Sequence, residues 1–498
     1  MVAFRFMKKS IYLILTCFCV VMCSGNHNGT DAAPEYTVSV LQDGSWKQAW
    51  VHQALVSDYS DHEEIWDDWD NSKALRDTMS IALFEDDFLS EVKVRVHTTE
   101  KFSSCRVRPS NLGIEPVILD SYTVEFTVPS FDERKLSVEF DGNRQENLFV
   151  VGNRPDADKP SPDDDGVMYF GPGEHEAGEL HIGDNQTIYV DFGAVLYANF
   201  VITGDNVRIA GNGIITGKKM EHWGNTQYAC GDVLFMVGPQ GRSHIENFTV
   251  EDVTLIDSPS WTFFLSNING VMIENINMIN WILNGDGIDL VCCQNALIKD
   301  CLLRCYDDCI TMKVSHGARP DCSNIEIDGC LIWEDIARGI VIGPEAGNAY
   351  MNSGRIHDVD IHDCVFLEHR GTSEGDNVRA ALAVCQWKHP MDRDGHATEI
   401  SDVTCRNLYF DDIKSDGTYI FVWQMPSQSE PSYIRNLVFD NIHVNDAGRV
   451  RNPVFQAFTN ENSILGMEIS DFHINGKKVM SEGRDFICDG QISDLVFR

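Results

Sequence analysis

Four short stretches between residues 250 and 330 decide the fold: VEDV (250–253), IENI (273–276), IKDC (298–301) and IDGC (327–330). Each consists of an apolar residue, a polar pair that ends in Asp, Asn or Gly, and a second apolar residue. The pattern recurs at intervals of 23 to 44 residues without helical spacing. Such a period predicts a solenoid whose coils bury one another, here a parallel β-helix. The remaining copies are IHDC (361–364), CRNL (405–408), FDNI (439–442) and ISDF (469–472).

Two positions of this repeat allow structural predictions. The third residue is of a type that tolerates the left-handed backbone of a sharp corner. The fourth should face the core, so Cys301, Cys330 and Cys364 should be buried thiols, because apolar residues hold that place in the other copies. Of sixteen cysteines, three lie within the first 23 residues. The thirteen that remain cannot all be paired, and no paired CxxC motif suggests a zinc site.

The region before the repeat has a different period. Apolar and polar residues alternate there, as in EVKVRV (91–96) and KLSVEF (135–140). Alternation with turn residues between the runs predicts an antiparallel β-sandwich over residues 35–152. A charged, proline-bearing segment, DADKPSPDDDG, predicts a linker over 153–166. The chain is therefore expected to be all-β, with an N-terminal β-sandwich domain preceding a β-helix domain over 167–498, since 498 residues exceed one compact core.

The amino terminus predicts export. Three cations precede a mostly apolar run over residues 10–22, and polar sequence follows Cys23. The run is typical of a signal peptide and is too short to span a bilayer. We expect residues 1–23 to be removed, with plain secretion and lipid attachment at Cys23 as open alternatives. The protein would then be secreted, periplasmic or a cell-surface lipoprotein of a bacterium.

The charge balance excludes one class of partner. The chain has 39 Lys and Arg against 76 Asp and Glu, a formal net charge of −37. Nucleic-acid binding depends on clustered cations, so nucleic acid is not an expected partner. We expect a monomer without a cofactor or a bound metal.

A column of acidic residues marks the candidate site. Each coil has a later apolar strand, such as GIDL (287–290) or CITM (309–312), and aligning these strands stacks the residues that precede them. Because coils lie roughly 4.8 Å apart, Asp286 and Asp308 should be neighbours, with Asp307 beside them. Like charges this close raise at least one pKa. A protonated carboxyl group beside ionised ones suits glycoside hydrolysis, while a calcium site is the structural alternative. The predicted column is Trp261, Asp286, Asp308, Arg338 and Arg379.

Two motifs resemble glycoside hydrolase family 28, the polygalacturonase group. NGDGID (284–289) is similar to the family's NTDGID, and DDCITMK (307–313) is similar to GDDCIAIK. The resemblance extends from about residue 168 onward and implies a right-handed parallel β-helix and hydrolysis with inversion. It also implies that Asp307 is the general acid, and that Asp286 and Asp308 hold and deprotonate the attacking water.

The sequence departs from this family at its cationic motifs. The family's GHG is Ala337-Arg338-Gly339 here, and its RIK corresponds to Arg379-Ala380-Ala381, so a histidine and a lysine are absent. In the family those cations bind the sugar carboxylate. Aromatic residues near the column are expected to stack on sugar rings. The predicted substrate-binding residues are Asp289, Lys313, Arg338, Arg379, Tyr306, Trp387 and Trp423.

The predicted domain layout is similar to another family. A β-rich domain before the helix, with YFGPG (169–173) at the join, resembles glycoside hydrolase family 49, the dextranase and isopullulanase group, which acts on neutral α-glucans. The expected partner is therefore a polysaccharide or oligosaccharide substrate, and it stays open between pectin-type polygalacturonan and a neutral α-glucan. A calcium-dependent β-helix polysaccharide lyase and a non-catalytic glycan-binding surface protein are the alternative functions.

Overall fold

The computed structural model describes one compact unit within Pro34–Arg498. The predicted signal peptide and Cys23 lie outside the described residues. Nearly every described element is a strand, and one 3-10 helix covers Ser110–Leu112. Within the described segments, no helix is long and apolar enough to cross a bilayer. The described residues are 35–56, 77–131, 135–220, 233–238, 244–282, 284–314, 321–344, 354–369, 380–386, 399–413, 418–424, 433–446, 452–457 and 463–498.

The first ten strands form two five-stranded sheets. One has the order β2-β1-β5-β8-β7 and the other β3-β4-β10-β9-β6, with a parallel pair only at β4–β10 among the described strands. The alternating stretch predicted from sequence buries every second residue, including Val92, Val94 and Val96. The strands are β1 (Tyr36–Gln42), β2 (Ser45–Gln48), β3 (Trp50–Val56), β4 (Asp77–Glu85), β5 (Val92–Thr98), β6 (Cys105–Arg108), β7 (Val117–Asp120), β8 (Thr123–Val128), β9 (Lys135–Phe140) and β10 (Leu148–Asn153).

Thirty further strands form one continuous coiled sheet. They are β11 (Val167–Phe170), β12 (Gly173–Ile182), β13 (Thr187–Val190), β14 (Ala194–Ile202), β15 (Val207–Ala210), β16 (Ile214–Thr216), β17 (Phe235–Val237), β18 (Ile245–Glu251), β19 (Thr254–Ile256), β20 (Phe263–Ser266), β21 (Ile268–Glu274), β22 (Asn277–Asn280), β23 (Ile288–Val291), β24 (Gln294–Lys299), β25 (Leu302–Cys305), β26 (Ile310–Lys313), β27 (Cys322–Asp328), β28 (Leu331–Glu334), β29 (Ile340–Ile342), β30 (Arg355–His362), β31 (Val365–His369), β32 (Ala380–Gln386), β33 (Glu399–Ile413), β34 (Thr418–Gln424), β35 (Tyr433–Asp446), β36 (Val454–Gln456), β37 (Ser463–Ile474), β38 (Lys477–Lys478), β39 (Ile487–Asp489) and β40 (Ile492–Phe497).

Strands of successive coils pair in parallel and build three ladders. The arrangement is the predicted right-handed parallel β-helix, with the apolar core inside the coils. The front ladder is β17, β20, β23, β26, β29, β32, β34, β36 and β39. The docked ladder is β16, β19, β22, β25, β28 and β31, and it continues into the second halves of β33, β35 and β37. The side ladder is β13, β15, β18, β21, β24, β27, β30, β33, β35, β37 and β40.

The corners between the side and docked ladders have the predicted backbone. The third residue of all eight repeat copies is left-handed, with φ between 49° and 66°. A second left-handed column, which the repeat pattern did not reveal, lies inside the side ladder. It includes Asn247, Asn295, Asn324 and Asn436, with φ between 54° and 59°. Amide side chains there bridge neighbouring coils, as from Asn324 Nδ2 to Asn295 Oδ1 at 2.5 Å.

The cysteines are core residues, as predicted. All twelve in the described residues are free thiols, and ten are buried. Cys301, Cys330 and Cys364 line up at the fourth repeat position and are at most 1% exposed. They fill the space that larger apolar side chains fill in other coils.

The two-sheet region packs on the docked ladder. An apolar cluster joins Met79, Ile81 and Phe149 from the sheets to Trp333 and other residues of the coils. Trp333 is fully buried, and the guanidinium groups of Arg304 and Arg108 lie 4.7 and 5.3 Å from its ring. No strand lies between Asn153 and Val167. The division into two domains with a linker over 153–166 stays a prediction, because both parts belong to one compact unit.

Candidate active site

The predicted acidic column exists on the front ladder. Backbone N–H groups of one coil donate to carbonyls of the next: Thr262 to Asp286 at 2.8 Å, Gly287 to Asp308 at 2.8 Å, and Cys309 to Arg338 at 2.9 Å. Gly287 has a steric reason, since a Cβ there would lie 2.4 Å from the carbonyl oxygen of Cys309. The glycine that follows Asp286 therefore permits the close approach of the two coils that carry the acids.

The predicted column is shifted by one residue at its last position, which follows Arg338. Ile340 pairs with Leu382, which places Ala380, and not Arg379, opposite Arg338. The run AALA (380–383) gives no contrast between large and small side chains that would fix its register from sequence. Arg379 lies outside the described residues, as do the predicted stacking residue Trp387 and the neighbouring loop.

Three carboxylates converge at this point of the ladder. One oxygen from each of Asp286, Asp307 and Asp308 lies within 4.8 Å of the other two. Asp286 and Asp308 are both 4% exposed, whereas Asp307 is half-buried. Asp307 Oδ1 accepts the N–H of Asp308 at 3.0 Å. The convergence is the geometry that the alignment of coils predicted, and its spacing also suits a divalent cation.

Each flanking carboxylate has its own cation. Lys313 Nζ lies 3.6 Å from Asp286 Oδ2 and 2.8 Å from Asp289 Oδ1. Arg338 Nη1 lies 3.3 Å from both oxygens of Asp308. The side chains of Lys313 and Arg338 are 3% and 10% exposed. The ammonium group of Lys313 favours the ionised forms of Asp286 and Asp289.

Burial of the carboxyl groups has the opposite effect and favours their protonated forms. It raises the pKa of Asp286 well above its usual value, and the carboxylates of Asp289 and Asp307 raise it further while Lys313 opposes the rise. Burial likewise raises the pKa of Asp289 against Lys313. A raised pKa was predicted from the crowding of like charges, but burial is its main cause and the neighbouring carboxylates only add to it. The raised pKa falls on Asp286, which the resemblance makes a base, so ionisation of Asp286 should limit activity at low pH.

Two predicted substrate-binding residues are in the wrong place for that role. Tyr306 is 1% exposed and packs at 4.5 Å from the ring of Trp281 in the cluster beneath the sheets, so it offers no face to a sugar. Asp289 is fully buried and accepts the hydroxyl of Thr311 at 2.6 Å. It supports Lys313 and does not reach outward.

One further residue belongs to the site. The ring of Trp261, in the column one coil before Asp286, lies 4.1 Å from Lys313 Nζ. The only feature of the sequence that pointed to Trp261 was its place in the aligned column. Trp423 is half-buried on β34, two coils beyond Arg338, and stacks on Phe421 with ring centroids 6.5 Å apart. Its contact with a sugar stays a prediction.

The fold and the three-carboxylate cluster define a β-helix protein of the glycoside hydrolase type. Residues 197–486 match the family model described as Glycosyl hydrolases family 28. This match covers more than half of the chain, so the chain belongs to that family, as the motif resemblance implied.

Two matching relatives share about a quarter or less of their residues with this chain. "Probable exopolygalacturonase B" of Emericella nidulans is 24% identical over 310 residues, which cover 58% of this chain and 64% of that protein. "Exopolygalacturonase B" of Aspergillus niger is 22% identical over 310 residues, covering 57% and 64%. The match thus spans 64% of the length of these relatives. Among solved structures, Dex49A from Penicillium minioluteum has a TM-score of 0.58 at 14% identity over 93% of this chain and 94% of that chain, which shows a shared fold.

Proposed function

We propose that this protein is an exported glycoside hydrolase that cleaves a glycosidic bond of a polysaccharide with inversion. The observation that carries the proposal is the convergence of Asp286, Asp307 and Asp308 within 4.8 Å on the front ladder. Family membership supports hydrolysis of a sugar linkage. The relatives named above are exopolygalacturonases, which favours release of sugars from a chain end and pectin-type polygalacturonan as one candidate substrate. A neutral α-glucan is the other.

The proposed roles follow from charge and exposure. The family resemblance makes Asp286 and Asp308 the carboxylates that activate a water molecule, and each of them lies beside a cation. Asp307 is the more open of the three and would protonate the leaving oxygen. Oxygens within 4.8 Å are closer than the roughly 6.5–9.5 Å common for inverting pairs, so inversion rests on the family resemblance. Following the released anomer by NMR tests it, and a retained configuration would contradict it.

The decisive variant is Asp307→Asn. Removal of the general acid should lower turnover by about a hundredfold to ten-thousandfold, measured as new reducing ends, with an unchanged circular dichroism spectrum. Asp163→Asn, on an exposed turn far along the chain, is the matched control and should keep wild-type turnover. Undiminished turnover of the Asp307 variant would end the proposal.

A cation-dependent lyase is the second candidate. It is favoured by the same oxygen spacing, which fits a divalent ion. Elimination leaves an unsaturated, ultraviolet-absorbing product and should stop when a chelator removes the metal. Saturated products and chelator-insensitive turnover would exclude this candidate.

A further inference from the structure

A histidine and two acidic residues meet on the outer face of the side ladder, which is a different ladder from the one that carries the candidate active site. Glu326 and Asp328 lie on β27, and His362 is the last residue of β30 in the next coil. Residues two apart on a strand point to the same face, and the register pairs Asp328 with His362. The stacking of coils therefore brings the three side chains together outside the apolar core.

The three side chains have a spacing that suits metal ligands. One oxygen of Glu326, one oxygen of Asp328 and one ring nitrogen of His362 all lie within 4.8 Å of one another. His362 Nε2 lies 3.1 Å from Glu326 Oε1, and His362 Nδ1 lies 3.2 Å from Asp328 Oδ1. Ligand atoms around a tetrahedral zinc ion are roughly 3.4 Å apart, because bonds from zinc to nitrogen and oxygen are about 2.0–2.2 Å long. The Glu326 side chain is 53% exposed, so a small rotation is enough to bring its carboxylate to a shared ion.

The surroundings of His362 favour a bound cation. Its side chain is 8% exposed, and carboxylates face both of its ring nitrogens. A neutral imidazole has one N–H group, so it donates to a carboxylate through one nitrogen only. The other nitrogen then directs a lone pair toward a carboxylate, and a second proton or a metal ion must lie between them for the contact to be favourable. This buried ring distinguishes the site from a cluster of surface acids.

Asp363 determines which nitrogen is available to a metal. Asp363 Oδ2 lies 2.7 Å from His362 Nδ1, and Asn407 Nδ2 donates to Asp363 Oδ1 at 3.1 Å. A histidine that binds a metal commonly donates its other ring N–H to a carboxylate, which fixes the orientation of the ring. With the proton of Nδ1 directed at Asp363, the lone pair of Nε2 is left for an ion shared with Glu326.

We propose that Glu326, Asp328 and His362 bind a divalent metal ion of the zinc type, and that water completes its coordination. A nitrogen ligand together with carboxylates suits zinc, whereas sites built from oxygen alone, such as the three acids of the front ladder, suit calcium or magnesium. Lys299, in register with Asp328 on the preceding coil, would share that carboxylate with the ion. The ion would link two neighbouring coils. The proposal departs from the expectation, drawn from the sequence, of a chain without a bound metal, and it does not depend on the proposed hydrolase function.

Titration calorimetry with ZnCl2 tests the site. The full chain is dialysed first against a chelator and then against chelator-free buffer at pH 8, and zinc is added. We expect wild-type protein to bind zinc at this site, and Glu326→Gln and His362→Gln each to raise the Kd at least tenfold. Glu326→Gln changes an exposed side chain and should keep the fold, so the test does not depend on the buried histidine variant alone. A hundredfold excess of CaCl2 should not displace the zinc.

His357→Gln is the matched control. His357 lies on the same strand, 3.2 Å from Asp321 Oδ2 and 2.7 Å from Asp358 Oδ2. Among the residues that the structure describes, no third ligand completes a metal-binding group there. The His357 variant should therefore bind zinc as tightly as the wild type. Asp307→Asn, which removes an acid of the front ladder, should also keep this zinc.

Three results would overturn the inference. The first is an equal Kd for wild type, Glu326→Gln and His362→Gln. The second is loss of the zinc in Asp307→Asn, or its displacement by calcium, which would assign the ion to the acids of the front ladder. The third is no zinc binding by the wild type at pH 8, which would leave a second proton as the cation on His362. Because His362 lies off the front ladder, His362→Gln should cleave polysaccharide at the wild-type rate, and failure of the hydrolase proposal would leave the zinc site standing.

Discussion

At the scale of single residues, the pKa of Asp286 is subject to two opposing effects. Burial raises its pKa, and Lys313 opposes the rise from 3.6 Å. A base must be ionised to activate water, so loss of activity at low pH should follow the protonation of Asp286. The carboxylates of Asp289, Asp307 and Asp308 also raise this pKa, and the ammonium group of Lys313 lowers it. Because Lys313 lowers the pKa of Asp286, it is expected to extend the range of activity to lower pH.

Replacing Lys313 with Met tests this expectation. Without the ammonium group the pKa of Asp286 rises further, so the acid limb of the plot of kcat/KM against pH should move to higher pH by about one unit or more. The measurement is a pH–rate profile on a polysaccharide that the wild-type protein cleaves.

Lys313→Arg is the matched control. It keeps the charge and should leave the acid limb close to its wild-type position. If Lys313 binds substrate directly, both variants should instead raise KM without moving the limb. That result would restore the substrate-binding role predicted from the sequence.

Asp257 offers a second test at this scale, away from the acids. Burial raises its pKa to about 6, although Asp257 Oδ1 accepts the N–H of Leu55 at 2.8 Å. A raised acid pKa means that the folded state holds the proton more tightly, so the fold loses stability as pH rises from about 4 to about 6. Relative to wild type, Asp257→Asn should gain about 3 kcal/mol between pH 4 and pH 7, measured by urea denaturation.

Asp141 gives the opposite sign. Hydrogen bonds from Ser103 and Ser104 lower the pKa of its exposed carboxyl group. Asp141→Asn should therefore lose stability relative to wild type as pH rises from acid toward neutral. Parallel slopes for the two variants would show that burial of Asp257 is not the cause.

The sequence predicted the acids better than their surroundings. Asp286, Asp307 and Asp308 follow from motif letters and from the spacing of coils, which are local properties. Tyr306 directly precedes these acids in sequence, yet its ring points into the cluster under the two-sheet region. No pattern around Tyr306 shows that other residues, more than 150 positions earlier, cover it.

At the scale of elements, the corners hold the coils in register. Asn407 has a φ of 56°, donates to Asp363 Oδ1 at 3.1 Å, and accepts from Asn441 Nδ2 at 2.8 Å. A left-handed conformation costs most residues about 1–2 kcal/mol, and asparagine bears less of this cost. Asparagine therefore favours the corner in two ways. It adopts the left-handed backbone at a lower cost than most residues, and its side chain forms hydrogen bonds with the neighbouring coils.

Asn407→Ala should lower the free energy of unfolding by about 1–2 kcal/mol, because alanine loses both contributions. Asn407→Gly keeps the permissive backbone and should lose less. Denaturant unfolding of the two variants checks the order. Equal losses would mean that the side-chain bonds dominate and that backbone conformation contributes little.

Register within an element is where the sequence prediction failed. Because Ile340 pairs with Leu382, the strand that contains Leu382 is shifted by one residue from the alignment expected from the sequence. Strands with a bulky residue at each inward position, such as Ile288–Val291 and Ile310–Lys313, were aligned correctly. A run of alanines does not distinguish the two faces of a strand, so only its neighbours fix its register.

At the scale of the whole molecule, buried arginines join the two-sheet region to the coils. Arg304 donates to Asn147 Oδ1 at 2.6 Å and to Asp335 Oδ2 at 3.0 Å. Arg144 donates to Glu368 Oε2 at 2.7 Å, across 224 residues of sequence. Pairs this far apart leave no periodic signal in a single sequence. The sequence therefore predicted both parts of the molecule but not the surface by which they meet.

Arg144→Ala is the last prediction and tests that surface. Arg144 contacts Glu139 at 3.7 Å, Glu368 at 2.7 Å and Asp412 at 2.8 Å, so its loss leaves buried carboxylates without this cation. Removing one partner of a buried ion pair costs about 3–5 kcal/mol. Arg95→Ala is the matched control, because the Arg95–Glu125 pair is partly exposed and should be worth about 0–1 kcal/mol. Denaturant unfolding of both variants compares them, and equal losses would show that the arginine contacts do not hold the two parts together.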